Sequence, residues 1–308
     1  MKNTKKTFAL FVILALAVSL FTGCGSTSGT SQAAAPATAE PAAAASTEAP
    51  AEPIVVKLGV TSGDKDMWAY AKETLLAEKN IDIQFVEFTD YVTPNNALAN
   101  GDIDLNSFQH VVYLNGEIAE KGYEIEPIGY TVISPLNLYS YKVKSVDEIK
   151  DGDIIAVPND TTNEGRALKV LQNARLITLG AEDTGSPTLD DIAQYNVAIE
   201  IKELQADTIT AALPDVTAAI VNANYATDFG LNFDETVIFY DKGTGSEGYW
   251  NVIAARSADL QDPEKVALYR EIVDAFHTDG TKEILHTVLH DSSVAAGWNV
   301  DLLSGAAG

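Results

Sequence analysis

The sequence predicts an α/β protein of two lobes joined by crossing strands. Three observations carry this. From Ile54 onward, short β-branched runs alternate with helix-length segments, the spacing of parallel α/β layers. The alternation gives way to one long extended stretch, Tyr123 to Tyr141, and then restarts. With 46% apolar residues, the chain beyond residue 53 is also long enough to bury a core in each of two lobes.

Taken in order, Ile54 to Val60 is a β-branched run ending in Thr61-Ser62-Gly63, and a helix is predicted over 65–79. Ile83 to Phe88 reads as a strand, Asn95 to Asn100 as a short helix and Ile103 to Leu105 as a third strand. A helix over 111–121 leads into the extended stretch. The pattern resumes with helix 145–150, strand Ile154 to Val157 and helices 162–175 and 188–194. Strand Val197 to Leu204, helix 206–213 and strand Ala218 to Val221 follow. Strand 237–240, a Gly-rich turn, strand 250–255 and helices 262–277 and 280–289 complete the chain.

Before Ile54 the composition differs. Lys2, Lys5 and Lys6 precede a run from Thr7 to Phe21 almost without polarity, then Thr22-Gly23-Cys24. A basic start, an apolar run of about fifteen residues and a small residue before the cut describe a secretory signal over 1–23. The run is short for a membrane-spanning helix, which needs about twenty residues. Cys24 is the only cysteine, so no disulfide framework supports the fold. Its position resembles the lipobox of bacterial lipoproteins, in which the thiol is lipidated and becomes the new N-terminus; here Phe21 stands where Leu is usual, with Leu20 one residue earlier. Residues 25–53 are mostly Ser, Thr, Gly, Ala, Pro and Glu, with little to bury and with prolines such as Pro36, Pro41 and Pro50. With Cys24 they predict a lipidated, disordered tether over 24–53, extended by its prolines.

The formal charge is −24, and removing the three lysines of the signal leaves 17 basic against 44 acidic residues, or −27. Such a surface repels phosphate backbones, which disfavours a nucleic-acid partner and suits a soluble monomer.

Ligands of open α/β sheets sit at the carboxyl ends of strands, so polar and aromatic residues just after strands are the site candidates. After strand 154–157 comes Asn159-Asp160-Thr161-Thr162-Asn163-Glu164-Gly165-Arg166. Thr161 and Glu164 form a capping-box pattern that predicts a helix start, whose free N–H groups favour an anion. Arg166, one of four arginines, adds a planar fork suited to a carboxylate. It could equally be a surface arginine paired with an acid. Phe108, His110 and Tyr113 follow the strand near 103–105, offering two flat apolar faces and one polar contact, although a single His there fits a hydrogen-bonded core role as well. Tyr91 follows strand 83–88, as pocket wall or core tyrosine. Asn222, after strand 218–221, can hold an ammonium through its side-chain oxygen or start a turn. Together these place one cation, several aromatics, a His and an Asn at strand ends, the chemistry of a cleft for a small zwitterion with an apolar side chain.

Several of these segments resemble one family. Phe88-Thr89-Asp90-Tyr91-Val92-Thr93-Pro94-Asn95, Phe108-Gln109-His110, Tyr113-Leu114, Asn159-Asp160, Thr162-Asn163 with Gly165-Arg166-Ala167-Leu168, Asn222 with Tyr225-Ala226, Val143 to Glu148 and Gly297-Trp298 are similar to the methionine-binding lipoproteins of the MetQ/NlpA family. The likeness runs from about Val55 to Trp298. It implies a type II periplasmic-binding-protein fold, each lobe a mixed, mostly parallel sheet flanked by helices, with 54–134 plus 245–308 as one lobe and 135–244 as the other. It implies a role in an ABC importer, with permease and ATPase subunits as partners. Carried over residue by residue, Arg166 would grip the ligand carboxylate and Asn222 its amino group. Tyr91, Phe108, His110 and Tyr113 would enclose a thioether side chain, with Asn163 supporting. No cofactor or enzymatic activity is implied. Thr161 and Val112 stand where the family commonly has proline, which leaves another small amino acid or a methionine-containing dipeptide as an alternative ligand.

Other motifs lead elsewhere. Gly243 to Gly248 fits G-x-G-x-x-G, but a strand rather than a helix is predicted after it, as a dinucleotide site forbids. His286 and His290 are four apart on a predicted helix without the Glu of H-E-x-x-H. There is no Walker A motif and no G-x-S-x-G elbow. An extracellular hydrolase or an adhesin on the same scaffold are the remaining alternatives, and the first lacks a visible nucleophile and base.

Overall fold

The computed structural model describes residues 52–180, 185–241, 246–289 and 292–306. The predicted signal, Cys24, nearly all of the tether, Gly243 and Gly245 of the Gly-rich turn, and His290 lie outside the described residues. Among those described, no helix is long and apolar enough to cross a membrane.

In chain order the strands are β1 (Ile54–Thr61), β2 (Ile81–Phe88), β3 (Leu105–His110), β4 (Ile125–Ile133), β5 (Leu136–Tyr139), β6 (Ile154–Pro158), β7 (Ile177–Leu179), β8 (Ile192–Tyr195), β9 (Glu200–Leu204), β10 (Ala218–Asn222), β11 (Val237–Phe239), β12 (Trp250–Arg256) and β13 (Val294–Ala295). The helices are α1 (Thr93–Asn100), α2 (Val111–Lys121), α3 (Thr161–Asn173), α4 (Ile209–Ala212), α5 (Ala223–Phe229), α6 (Phe233–Thr236), α7 (Pro263–Phe276) and α8 (Asp279–Thr287).

The strands form two large sheets, one per lobe. One has the order β13-β4-β12-β3-β1-β2, the other β11-β5-β10-β6-β9, with β7 and β8 as a small pair beside the second. The first sheet takes its strands from 54–133 and 250–295, the second from 136–239. The chain passes between sheets through Ser134-Pro135, and again between β11 and β12. The parallel share is smaller than expected. Parallel pairing links β1 to β2 and β3, and β6 to β9 and β10. The pairings of β4, β5, β11, β12 and β13 are antiparallel. The βα units generate the parallel ladders, whereas the strands next to the crossings return in the opposite sense.

Each sheet is covered on both faces. Trp68, Tyr269, Ile272 and Phe276 join Leu58 and Ile83 in the core of the first lobe, and Leu98, Ile103 and Leu114 cover its other face. In the second lobe Leu168, Leu171 and Ile155 form one cluster, with Ile209, Leu213 and Val221 in another. Each fully buried aliphatic side chain contributes about 1.5–3 kcal/mol.

Other expectations change locally. The helix after β1 begins as a 3₁₀ turn, Ser62–Trp68, and passes through a π-helical stretch, Ala71–Leu76. The strand predicted at 103–105 starts at Leu105 and continues through His110; all six residues are buried between β1 and β12, so polar Asn106, Ser107 and Gln109 are held by ladder and amide bonds rather than solvated. Segment 145–150 is only a 3₁₀ turn, Val146–Glu148, and 188–194 is a 3₁₀ turn followed by β8. In the latter, Thr188 and Asp191 cap a single turn, and antiparallel pairing with β7 takes the remainder.

Candidate functional site

The carboxyl end of β6 leads into α3. The N-cap is Asp160, not Thr161, and its carboxylate accepts from the Asn163 backbone N–H at 2.9 Å. An ionised carboxylate is the stronger acceptor at a helix start, and this one also meets the dipole favourably. The Asn163 side-chain Nδ2 donates to both Asp160 oxygens at 3.0 Å, which fixes the amide and turns its Oδ1 towards the cleft. Asn222 Nδ2 donates to that Oδ1 at 3.0 Å. Asn222 stands at the start of α5, but its side chain makes no cap hydrogen bond. Its own Oδ1 is buried and has no hydrogen-bond partner among the described residues. The relay from Asp160 through Asn163 thus presents a bare acceptor.

His110 ends β3 and begins α2. Its Nδ1 accepts from the Tyr113 backbone N–H at 3.0 Å, which leaves the ring proton on Nε2, 3.4 Å from Asn163 Oδ1. Burial and the nearby Arg166 charge hold the imidazole neutral, with its pKa lowered to about 3. Asn95, Asn106 and Gln109 form a buried amide triad at 2.6–3.0 Å that anchors this end of β3 and so the rings on either side of it.

Tyr91, Phe108 and Tyr113 cluster with centroids 5.9–6.2 Å apart, and Tyr113 Oη donates to the Tyr91 carbonyl at 2.9 Å. Their edge-on and tilted packing makes a wall of π surface. Arg166, on the second turn of α3, is 4% exposed. It donates to Ser134 O at 2.7 Å and pairs with Asp241 at 3.1 Å, and its guanidinium lies 4.7 Å from the centre of the Tyr249 ring. Burial works against its charge; Asp241 offsets this. Ser134 and Asp241 flank the two crossings between sheets, so Arg166 ties the cleft to the hinge.

All seven residues selected from sequence, Tyr91, Phe108, His110, Tyr113, Asn163, Arg166 and Asn222, line one cavity. Asp64, Gln109, Asn224 and Asn251 line it too and were not foreseen. Asn224 sits two residues past Asn222, so the strand-end rule could have found it; Asn251 lies at the amino end of antiparallel β12, where that rule does not look. The first sheet supplies the aromatic side and the second the Arg–Asn side. Contacts also run across: Tyr91 Oη donates to Asn224 Oδ1 at 2.6 Å, Asn224 Nδ2 to Thr61 Oγ1 at 3.1 Å and Tyr225 Oη to Thr89 O at 3.3 Å. No group of three or more His, Cys, Asp or Glu side chains among the described residues is arranged to hold a metal ion.

A two-lobed α/β body with a hinge of crossing strands and a polar–aromatic cleft between its lobes defines an extracytoplasmic solute-binding protein of type II. The comparisons with known proteins agree. Residues 56–298 match the model of the NlpA lipoprotein family, and the chain belongs to that family. A probable D-methionine-binding lipoprotein, MetQ, of Vibrio cholerae is 39% identical over 245 residues, 79% of this chain and 88% of that protein. A nutrient-binding protein from Burkholderia cenocepacia, solved bound to methionine, superimposes with a TM-score of 0.73 at 35% identity, covering 79% of this chain and 100% of that one. The substrate-binding protein of a methionine transporter from Streptococcus pneumoniae gives 0.74 at 32% identity, covering 79% and 96%. The class is one of binding proteins rather than enzymes.

Proposed function

We propose that this chain is the lipid-anchored binding subunit of an ABC importer and that it captures methionine between its lobes. The observation that carries this is the single cavity walled by Tyr91, Phe108, His110 and Tyr113 on one side and by Asn163, Arg166 and Asn222 on the other. Arg166 suits the ligand carboxylate, as a planar cation already held by Ser134 and Asp241. The buried Asn222 Oδ1 suits an ammonium, because its amide nitrogen is committed to Asn163. The aromatic wall suits a thioether, since sulfur meets ring edges favourably, and the neutral His110 adds polarity there without charge.

In this reading 54–134 with 245–308 is one lobe and 135–244 the other, and the ligand makes contacts to both, so that binding shifts the protein towards its closed form. Cys24 carries the lipid and the tether gives the body reach to a permease, while ATP is hydrolysed by a separate subunit. The protein acts as a monomer. The test is isothermal titration of L- and D-methionine into protein unfolded and refolded to strip bound ligand. Saturable one-to-one binding of either is expected; binding of neither sinks the methionine reading.

A further inference from the structure

Asp64 has no role in the site just described. It lies in the 3₁₀ turn after β1, is 5% exposed and lines the cleft. Contacts order the lining. Arg166 meets Tyr249, Tyr249 meets His110, His110 meets Tyr113 and Tyr113 meets Tyr91. Tyr91 Oη then reaches Asn224, which reaches Thr61, which donates to Asp64 Oδ2. A ligand whose carboxylate is on Arg166 can lay its side chain along these rings, at whose far end Asp64 lies.

The hydrogen bonds leave one oxygen of this carboxyl open. Oδ2 is taken by Thr61, which also accepts from Asn224, so Oδ1 is the oxygen available to carry a proton towards a ligand. Among the described residues, Thr61 is the one side-chain hydrogen-bond partner of Asp64. The groups on the packed elements are Lys65, paired with Glu87, and Asp66 on its own turn; Lys57 on β1; Asp82 and Glu87 on β2, with Tyr91 after it; Tyr225 and Asp228 on α5; and Asp279, Lys282, Glu283 and His286 on α8. No cation among them is hydrogen-bonded or ion-paired to Asp64. Burial accordingly raises its pKa to about 7, against the opposing pull of Thr61.

We propose that Asp64 is a specificity-determining residue, donating a hydrogen bond from Oδ1 to an acceptor in the ligand's side chain and so favouring a thioether tail over a hydrocarbon tail of the same shape. This rests on the methionine reading above. A thioether sulfur is a weak acceptor, whereas the methylene that replaces it in norleucine accepts nothing. Closing the lobes on the tail removes water from the carboxyl and favours its neutral form, so binding near pH 7 takes up protons.

The experiment titrates methionine and norleucine into the wild type, Asp64→Asn and Asp64→Leu. Asn keeps a donor and Leu has none. The wild type and Asp64→Asn are expected to prefer methionine by about three- to tenfold, and Asp64→Leu to bind both about equally. Norleucine binding by Asp64→Leu shows that the variant has folded. Should it not fold, the wild type decides: its preference must fall between pH 6 and 8.5, while that of Asp64→Asn stays flat even though Glu164, whose pKa is also raised to about 7, titrates in both. Proton uptake, read from titrations in buffers of different ionisation enthalpy, must accompany wild-type binding. If methionine and norleucine both bind but the preference survives Asp64→Leu or ignores pH, or if protons are released, this inference is overturned and the methionine reading stands. If neither binds the wild type, both fall.

Discussion

Asn222 Nδ2 donates to Asn163 Oδ1 at 3.0 Å, and this one bond decides which end of the Asn222 amide faces the cleft. Because Asn163 is itself held by Asp160, the amide cannot flip without breaking a charge-assisted relay. Asn222→Ala is expected to weaken methionine binding by about 1.5–3 kcal/mol, the range for a hydrogen bond to a charged group. Asn163→Ala should weaken it less, since Asn222 then retains its oxygen but loses its orientation. Titration calorimetry reads both. Equal affinities for wild type and Asn222→Ala would remove the residue from the site.

In the proposed function Arg166 serves ligand and hinge together. Its partner Asp241 is completely buried at the side chain, so Arg166→Ala strips a buried carboxylate of its guanidinium. Loss of unfolding free energy of about 3–5 kcal/mol is expected from urea denaturation, along with loss of binding. Adding Asp241→Asn should recover much of the stability, because the stranded charge is gone, but none of the affinity. Recovery of affinity in the double variant would show that Arg166 acts only on the hinge.

The proposed closure would meet a steric limit at Gly63. A Cβ there would lie 2.3 Å from the Asn224 backbone oxygen, and the obstructing atom is backbone, which cannot rotate away. Asn224 belongs to α5 of the second lobe and Gly63 to the turn after β1 of the first. Gly63→Ala should therefore fold normally yet fail to close. The expected signs are an unchanged melting temperature without ligand, at least tenfold weaker methionine binding, and a larger radius of gyration in methionine by X-ray scattering.

The buried His110 makes stability depend on acid. Its pKa in the folded protein is about 3 against 6.5 for an unperturbed imidazole, so the unfolded chain binds more protons between these values. The stability this supplies is complete above pH 6.5 and is lost as pH falls towards 3, at no more than about 1.4 kcal/mol per pH unit. His110→Gln, which keeps an acceptor near the Tyr113 N–H, should flatten that part of the profile. Unfolding curves across pH 3.5–7 would decide; parallel profiles for the two proteins would contradict a buried neutral imidazole.

Much of this was legible in the chain because the signals are local. β-branched runs such as Ile54–Val60 and Ala218–Val221 set their strands, and the strand-end rule, with the family resemblance adding Asn163, selected seven residues that line one cavity. What escaped depends on distance in sequence. Ser62-Gly63-Asp64-Lys65-Asp66 reads as a polar turn, and Asp64 is buried because that turn packs against segments distant in sequence, among them α5, some 160 residues later. Arg166 was chosen for a ligand, but nothing near it in sequence reveals Asp241, which lies beside it only because the chain crosses between the sheets twice. The N-cap was missed by one residue because Thr161-x-x-Glu164 fits the capping-box pattern, while Asp160 is the stronger acceptor. The 188–194 segment has helical composition, yet pairing with β7 overrides so weak a propensity.

In the proposed function the tether separates where the protein acts from what it binds. Every residue assigned to the cleft lies beyond residue 60, and Cys24 is about thirty residues upstream of β1. Two acyl chains added to Cys24 would hold the body at the membrane, whereas a single chain binds only reversibly. Cys24→Ser is thus expected to move the protein from the membrane fraction to the soluble extracytoplasmic fraction, with methionine affinity within twofold of wild type. Uptake of methionine by cells carrying only this variant should fall, because a tethered receptor samples its permease at a high effective concentration that diffusion from the medium does not match. Unchanged fractionation would mean that Cys24 is not the anchor, and a large change in affinity would mean that the N-terminal segment takes part in binding.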